Sequence, residues 1–222
     1  MDFSLGEDRQ MLVDTLGRFL AGNFDWKTRE TVIETAEGWS RPVWAQLAEL
    51  GVIGALFDEA SGGFGGSAFD IGVVFAEVGK ALAVGPFLGT LLAGRALAAT
   101  GETALLEQAI AGEVILSAAL DSDAAQGVAD GEGWALTGTQ PVVPFAASAD
   151  RIVVAARTGE GPSLFLIEKG APGIEIRDYP LIDGGAAGEL MLDGAAATLL
   201  GQAGAIIEEA VAAGLVALCW EA

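Results

Sequence analysis

The chain has 222 residues, 52% of them hydrophobic, which is enough for one large or two modest packed domains. Thirty-one acidic residues against 11 basic ones give a formal charge of -20, a surface that repels nucleic-acid phosphates and anionic membranes. Histidine is absent and Cys219 is the single cysteine, which excludes Ser-His and Cys-His catalysis, an intrachain disulfide and the usual imidazole or thiolate metal sites, so no metal is expected.

The opening MDFSLGEDRQ is acidic where a signal peptide is basic, and no apolar run reaches the roughly 18 residues that cross a bilayer, so a cytoplasmic protein without a membrane role is expected. Ser4 and Glu7 form a capping-box pattern, after which Leu12, Leu16, Phe19 and Leu20 share a helical face that ends near Gly22 and Asn23. A second helix starts at Ser40 with Pro42 in its first turn, and carries Val43, Trp44, Leu47 and Leu50 up to Gly51. After a glycine-rich loop from Ser61 to Gly66, Ser67 and Asp70 cap a third helix with Ile71, Val74, Phe75, Val78 and Leu82 inward. Two more follow, from about Pro86 to Thr100 and from about Glu102 to Glu113, completing a bundle of about five helices over residues 1–113.

From Val114 the period changes. Trp134 to Thr139 alternates after the tight-turn pair Asp130-Gly131, Arg151 to Arg157 and Ser163 to Glu168 are short apolar runs, and Ile174 to Tyr179 and Glu189 to Asp193 alternate again. Six or seven antiparallel strands over 114–200 imply a small β-barrel or sandwich, so the fold class is α+β. Residues 201–222 return to helix, with Ile207, Val211, Leu215 and Leu218 on one apolar stripe that needs cover from the other helices or from a partner. Cys219 on the same helix reads as a small buried hydrophobe.

Several stretches carry a resemblance. DFSLGEDRQMLVDTLGRFL, WAQLAELGVIGALFDEASGGFGG and FAEVGKALAVGPFL, with Glu77 to Gly79 as a Glu-x-Gly triplet, are followed by GWALTGTQPVVPFAASADRIVVAART, FLIEKGAPGIEI and ELMLDGA. In this order they resemble the acyl-CoA dehydrogenases over essentially the whole chain. EGWSRPVWAQLAELG and EEAVAAGLVALCWEA are further similar to small subunits of two-subunit enzymes acting on pimeloyl-CoA. The resemblance implies an N-terminal helical domain, a middle β domain and the first helix of a C-terminal helical domain. It also implies FAD as cofactor, an acyl-CoA substrate and a homologous subunit or a second copy as partner. In such enzymes a carboxylate takes the α proton while the flavin accepts the β hydrogen as hydride.

Carried over position by position, the family's Thr-Glu-Pro segment falls on Asp121, Ser122 and Asp123, and its Ile-Thr-Asn segment on Val143, Pro144 and Phe145. Both depart from the pattern. Carboxylates stand where backbone and hydroxyl groups should meet the flavin, and Pro144 supplies neither a hydroxyl nor an N–H. A base on the first C-terminal helix would be Glu209, with Ala210 in place of an arginine; Glu208 and Glu209 equally suit a helix start through the macrodipole. Gly62, Gly63, Gly65 and Gly66 would let a substrate approach the backbone, or would simply make a tight loop. Three classes follow: a dehydrogenase seen as a fragment, a non-catalytic subunit that completes a heteromeric enzyme, and a binding module built on the β domain.

Overall fold

A computed structural model describes residues 5–131 and 133–222. Ser4 of the anticipated capping box lies outside them. Helix α1 (Glu7–Asn23) begins after Gly6, and buries Leu16 and Leu20. Helix α2 (Trp26–Ile33) was not anticipated, because it buries no residue and so shows no apolar period; Asp25 starts it by accepting 2.7 Å from the Thr28 N–H. Helix α3 (Arg41–Glu49) is capped by Ser40, and α4 (Ala68–Ala81) by a reciprocal box between Ser67 and Asp70, both as the sequence indicates. Helices α5 (Phe87–Thr100) and α6 (Thr103–Ile110) complete the bundle.

Seven strands follow: β1 (Leu116–Ala119), β2 (Ala125–Asp130), β3 (Gly133–Pro144), β4 (Arg151–Thr158), β5 (Gly161–Glu168), β6 (Ile174–Pro180) and β7 (Ala186–Gln202). The ring β4-β2-β3-β7-β5 closes through the antiparallel β4–β5 pair into a five-stranded barrel, with β1 added beside β4 and β6 beside β7. The long β7 pairs β6 with its first half, β3 with residues up to Ala197 and β5 with its last residues. Two pairings depart from the antiparallel expectation, the longer being β1, which runs parallel to β4 with Leu116 opposite Arg151. β1 enters from a helix, and the whole β2–β3 hairpin intervenes before β4, so no tight turn imposes the antiparallel direction. The β2–β4 contact, Gln126 opposite Arg157, is parallel as well.

Two cores result. Leu136, Val143, Ile152, Val154, Phe165 and Leu190 fill the barrel, while Leu16, Trp44, Phe57, Val74, Phe75 and Leu91 form a larger core that continues into Leu116, Val153 and Leu164 on the barrel wall. The bundle core therefore runs onto the outer wall of the barrel, and removing water from that junction is the main force holding the two together.

Helix α7 (Gly204–Glu221) returns onto the bundle, where it packs against α4 and α5. The face it buries is the small-residue one, which leaves most of the apolar stripe without cover from the bundle. Ala210, Gly214 and Ala217 are buried, while Val211, Leu215 and Leu218 of the anticipated stripe remain 41%, 58% and 45% exposed. Small residues let the axes approach closely: a Cβ at Gly214 would come within 2.8 Å of Leu92, one at Gly72 within 2.6 Å of the Trp220 indole, and one at Gly79 would collide with the Glu221 backbone. Cys219 is exposed, contrary to its reading as a buried hydrophobe, since it shares the outward side with Leu215 and Leu218. Among the described residues no helix is long and apolar enough to cross a membrane, and no cluster of three His, Cys, Asp or Glu is placed to hold a metal.

Candidate functional site

The end of β1 and the end of β3 lie side by side, and the polar groups there are turned inward. After β1, the Asp121 carboxylate accepts 3.0 Å from the backbone N–H of Asp123, closing the turn on itself. The Asp123 carboxylate pairs with the Arg157 guanidinium from β4. Buried Gln140 on β3 donates from its amide nitrogen to the carbonyls of Asp121 (2.7 Å) and Ala155 (3.1 Å), fixing the turn to the barrel. Thus the two carboxylates anticipated to face a cofactor are engaged with the turn and with an arginine, and Ser122 sits half-buried between them.

At the end of β3, Val143 is wholly inside the barrel core. The Pro144 carbonyl accepts a 2.5 Å hydrogen bond from the Ser117 hydroxyl, and the Phe145 N–H donates to the Ala186 carbonyl at 2.9 Å. Phe145 has φ +49, a left-handed backbone that a bulky side chain adopts only when its surroundings hold it. The hold comes from the bundle. Its ring meets Trp39 edge-on at 6.5 Å, and Trp39 meets Trp44 at 6.1 Å, as a run of T-shaped contacts.

A cavity of about 350 Å3 opens beside Pro144 and Phe145, between α4, α5, the β6–β7 loop and the C-terminal end of α7. Phe75, Val78, Phe87, Leu88, Leu181 and Leu218 give it apolar walls, and Asp183 and Glu221 add two carboxylates. Burial raises the Glu221 carboxyl above its ordinary value and the charge of Asp183 pushes it in the same direction. Neither acid stood out in the sequence. The walls come from segments as far apart as Phe75 and Glu221, so no local spacing marks them.

Glu209 lies elsewhere, in the first turns of α7. It lines a second cavity of about 320 Å3 with Phe57, Asp58, Ser61, Arg95, Thr103 and Ile206. Burial lowers the Arg95 pKa, while the charges of Asp58 and Glu209 oppose that shift. The guanidinium donates to the carbonyls of Leu56 and Gly66, so it ties α5 to the glycine-rich loop. Ser61 donates its N–H to the Asp58 carboxylate at 2.9 Å, which holds that acid below the usual carboxylate range. Glu209 therefore faces a cation and not the Pro144–Phe145 segment.

The loop glycines border neither cavity. Gly62 and Gly66 take φ of +83 and +81, which a side chain would strain, and Cβ atoms at Gly63 and Gly65 would strike the carbonyls of Phe57 and Ala55. The site candidates thus separate into three places: Asp121 and Ser122 at the β1–β2 turn, Pro144 and Phe145 at the first cavity, and Glu209 at the second.

For a flavin, the Pro144–Phe145 segment is a poor fit. An isoalloxazine ring needs hydroxyl and N–H donors aimed outward, whereas Pro144 has none, the Ser117 hydroxyl and Phe145 N–H are committed to carbonyls, and the Gln140 amide is spent inside the barrel.

A helical bundle joined to a closed five-stranded barrel, with a further helix laid back on the bundle, defines the class of protein. Residues 6–112 match the family profile described as "Acyl-CoA dehydrogenase, N-terminal domain". The chain is 29% identical over 204 residues to acyl-CoA dehydrogenase FadE27 of Mycobacterium tuberculosis (strain ATCC 25618 / H37Rv), covering 88% of this chain and 55% of that protein. Among solved structures it is similar to the Tcur3481-Tcur3483 steroid ACAD, with a TM-score of 0.89 and 28% identity over 98% of this chain and 63% of that one. It is also similar to the ChsE4-ChsE5 complex from Mycobacterium tuberculosis, with a TM-score of 0.86 and 28% identity over 97% and 62%. Through residues 6–112 the chain belongs to the acyl-CoA dehydrogenase family. It spans about half the length of the curated relatives it matches.

Proposed function

We propose that this chain acts as a subunit within an acyl-CoA dehydrogenase, an enzyme that desaturates the α,β bond of an acyl-CoA thioester, and that it contributes fold and partner surface without holding FAD itself. The observation that carries this reading is the Pro144–Phe145 segment. Where the family pattern supplies donors to the flavin, this chain has a residue without an N–H, and the neighbouring donors are consumed by backbone carbonyls. Each missing donor to a strongly polar acceptor costs about 1 to 3 kcal/mol, so two or three losses weaken binding roughly a hundredfold or more.

The exposed stripe Val211, Leu215 and Leu218 supports the partner half of the reading, because apolar residues grouped on one helix face are what a subunit contact covers. The ChsE4-ChsE5 structure is itself a complex of two named chains. Glu209 stays within the proposal as a base only if a partner brings the thioester to the Arg95 cavity. A direct test is the colour of the chain expressed alone in riboflavin-rich medium. The proposal expects no flavin absorption band after purification, and a stoichiometric band contradicts it in favour of a self-sufficient dehydrogenase.

A further inference from the structure

Two rims of the first cavity are tied together from outside by one side chain. The turn between α4 and α5 supplies Ala83, Val84 and Gly85 to the lining, and the β6–β7 loop supplies Leu181, Asp183 and Gly185. Arg29 on α2 is not in the lining, yet it reaches both rims: its Nε donates to the Leu82 carbonyl at 2.9 Å and its Nη2 to the Asp183 carbonyl. A planar guanidinium can span them because its N–H groups point along fixed directions at once. The exposed Trp26 ring, with its centroid 5.9 Å from the guanidinium carbon, helps to set that plane. Little else holds the loop. Ile182 is wholly exposed, and among the described residues the other hydrogen bonds of residues 181–185 stay inside the loop: Leu181 N–H to the Gly185 carbonyl, Gly184 N–H to the Leu181 carbonyl and Gly185 N–H to the Asp183 carboxylate. The opposite rim is also under constraint, since Leu82 takes φ +49, a left-handed backbone that costs a leucine strain.

We propose that Arg29 is a latch: while it bridges Leu82 and Asp183 the β6–β7 loop stays closed against the α4–α5 turn, and when it lets go the loop swings away as a unit. A segment with few buried contacts and one external tie opens at a much smaller free energy than the whole fold. The three bonds inside the loop survive such a movement, so only the two to Arg29 are lost. Helix α2 buries no residue, so the element that carries the latch can shift without disturbing the core. The inference goes beyond the proposed function and requires neither flavin nor partner.

The test uses a single thiol as reporter. Cys219→Ser removes the exposed cysteine, Ala83→Cys places one in the cavity lining at a position 8% exposed, and its modification by an aromatic disulfide reagent is followed at fixed pH. Arg29→Met is expected to speed the modification about tenfold, the scale set by losing hydrogen bonds from a charged donor at a partly exposed site. Arg29→Lys should fall between, because an ammonium is a point charge without the guanidinium's fixed fork. Gly184→Ala attacks the latch from the other side: at φ +86 a side chain is strained, and its Cβ would stand 2.9 Å from Arg29 Nη2, so it too should speed the reaction. A second reporter, Ala195→Cys inside the barrel, reads opening of the fold as a whole and should keep its rate in every variant. An Ala83→Cys rate unchanged by Arg29→Met, or one that rises only in step with that of Ala195→Cys, would overturn the inference. The experiment contains no flavin, so its failure leaves the reading of the Pro144 segment standing.

Discussion

The indole Nε1 of Trp39 donates a 2.8 Å hydrogen bond to the hydroxyl of Ser148, both side chains being buried where the helical bundle meets the barrel. Arg41 adds a bond to the Ser148 carbonyl at 3.1 Å, and Phe145 packs on the Trp39 ring, so the turn after β3 is fastened to the segment before α3. Ser148→Ala leaves the buried indole N–H without its acceptor and is expected to destabilise the chain by about 1 to 3 kcal/mol in urea unfolding. Trp39→Phe with Ser148→Ala should cost less than the sum of the two single changes, because both remove the same bond. Strict additivity would show that the bond contributes nothing.

Glu221 gives the chain a pH dependence of definite sign. Its carboxyl is raised in the folded state by burial and then by Asp183, so the neutral acid is the form the fold prefers. Stability from this residue is full below the unfolded value of about 4.3 and is lost as pH rises through the folded pKa. Glu221→Gln cannot ionise and should therefore melt at a higher temperature than the natural chain at neutral pH, with the difference vanishing in acid. Equal melting temperatures across that range would contradict the assignment.

On α7 the large and the small residues should respond in opposite ways. Leu215→Ser, on the exposed face, should change stability by no more than about 0.5 kcal/mol while reducing the binding of a hydrophobic dye. Gly79→Ala places a methyl against the Glu221 backbone, which has no flexible end to move aside, and should cost about 1 to 3 kcal/mol in thermal unfolding. If Leu215→Ser proved the more damaging, α7 would have to pack by its large residues after all.

Asp70 should make the chain sensitive to acid. Burial pushes this carboxyl up, but the bonds from Arg9 at 2.7 Å and from Ser67 together pull it below its ordinary value. Its contribution is then full above an unfolded value of about 3.9 and is lost as pH falls through the folded pKa. Arg9→Met should reduce the loss of stability as pH falls below about 4, followed by circular dichroism; an unchanged acid transition would show that the pair has no part in it.

Helix starts were legible in the sequence where a side-chain cap precedes an apolar period: Ser40 accepts from the Val43 N–H, and Ser67 and Asp70 satisfy each other, whereas the Asp25 cap of α2 precedes no such period. Strands β4, β5 and β6 were legible from their apolar runs or alternation. What escaped was information that depends on contact between distant segments. α2 buries nothing and so writes no period, and the direction of β1 depends on where it lands beside β4. On α7 the sequence marks an apolar stripe that needs cover from the other helices or from a partner, but it does not show that Ala210, Gly214 and Ala217 make the contact with the bundle while Val211, Leu215 and Leu218 remain outside. At the candidate site, the lack of donors at Pro144 is visible in one residue. Glu209 and Arg95 line one cavity and Asp183 and Glu221 another although they stand 114 and 38 positions apart, and only the fold brings them together.

The central claim, that this chain does not hold FAD by itself, is tested most directly by titrating the purified chain with FAD and following flavin fluorescence. The account expects no saturable change up to micromolar concentrations, because Pro144 has no N–H and Ser117, Gln140 and Phe145 donate to backbone carbonyls. One-to-one saturation at or below about micromolar FAD, worth roughly 8 kcal/mol of binding, would contradict it.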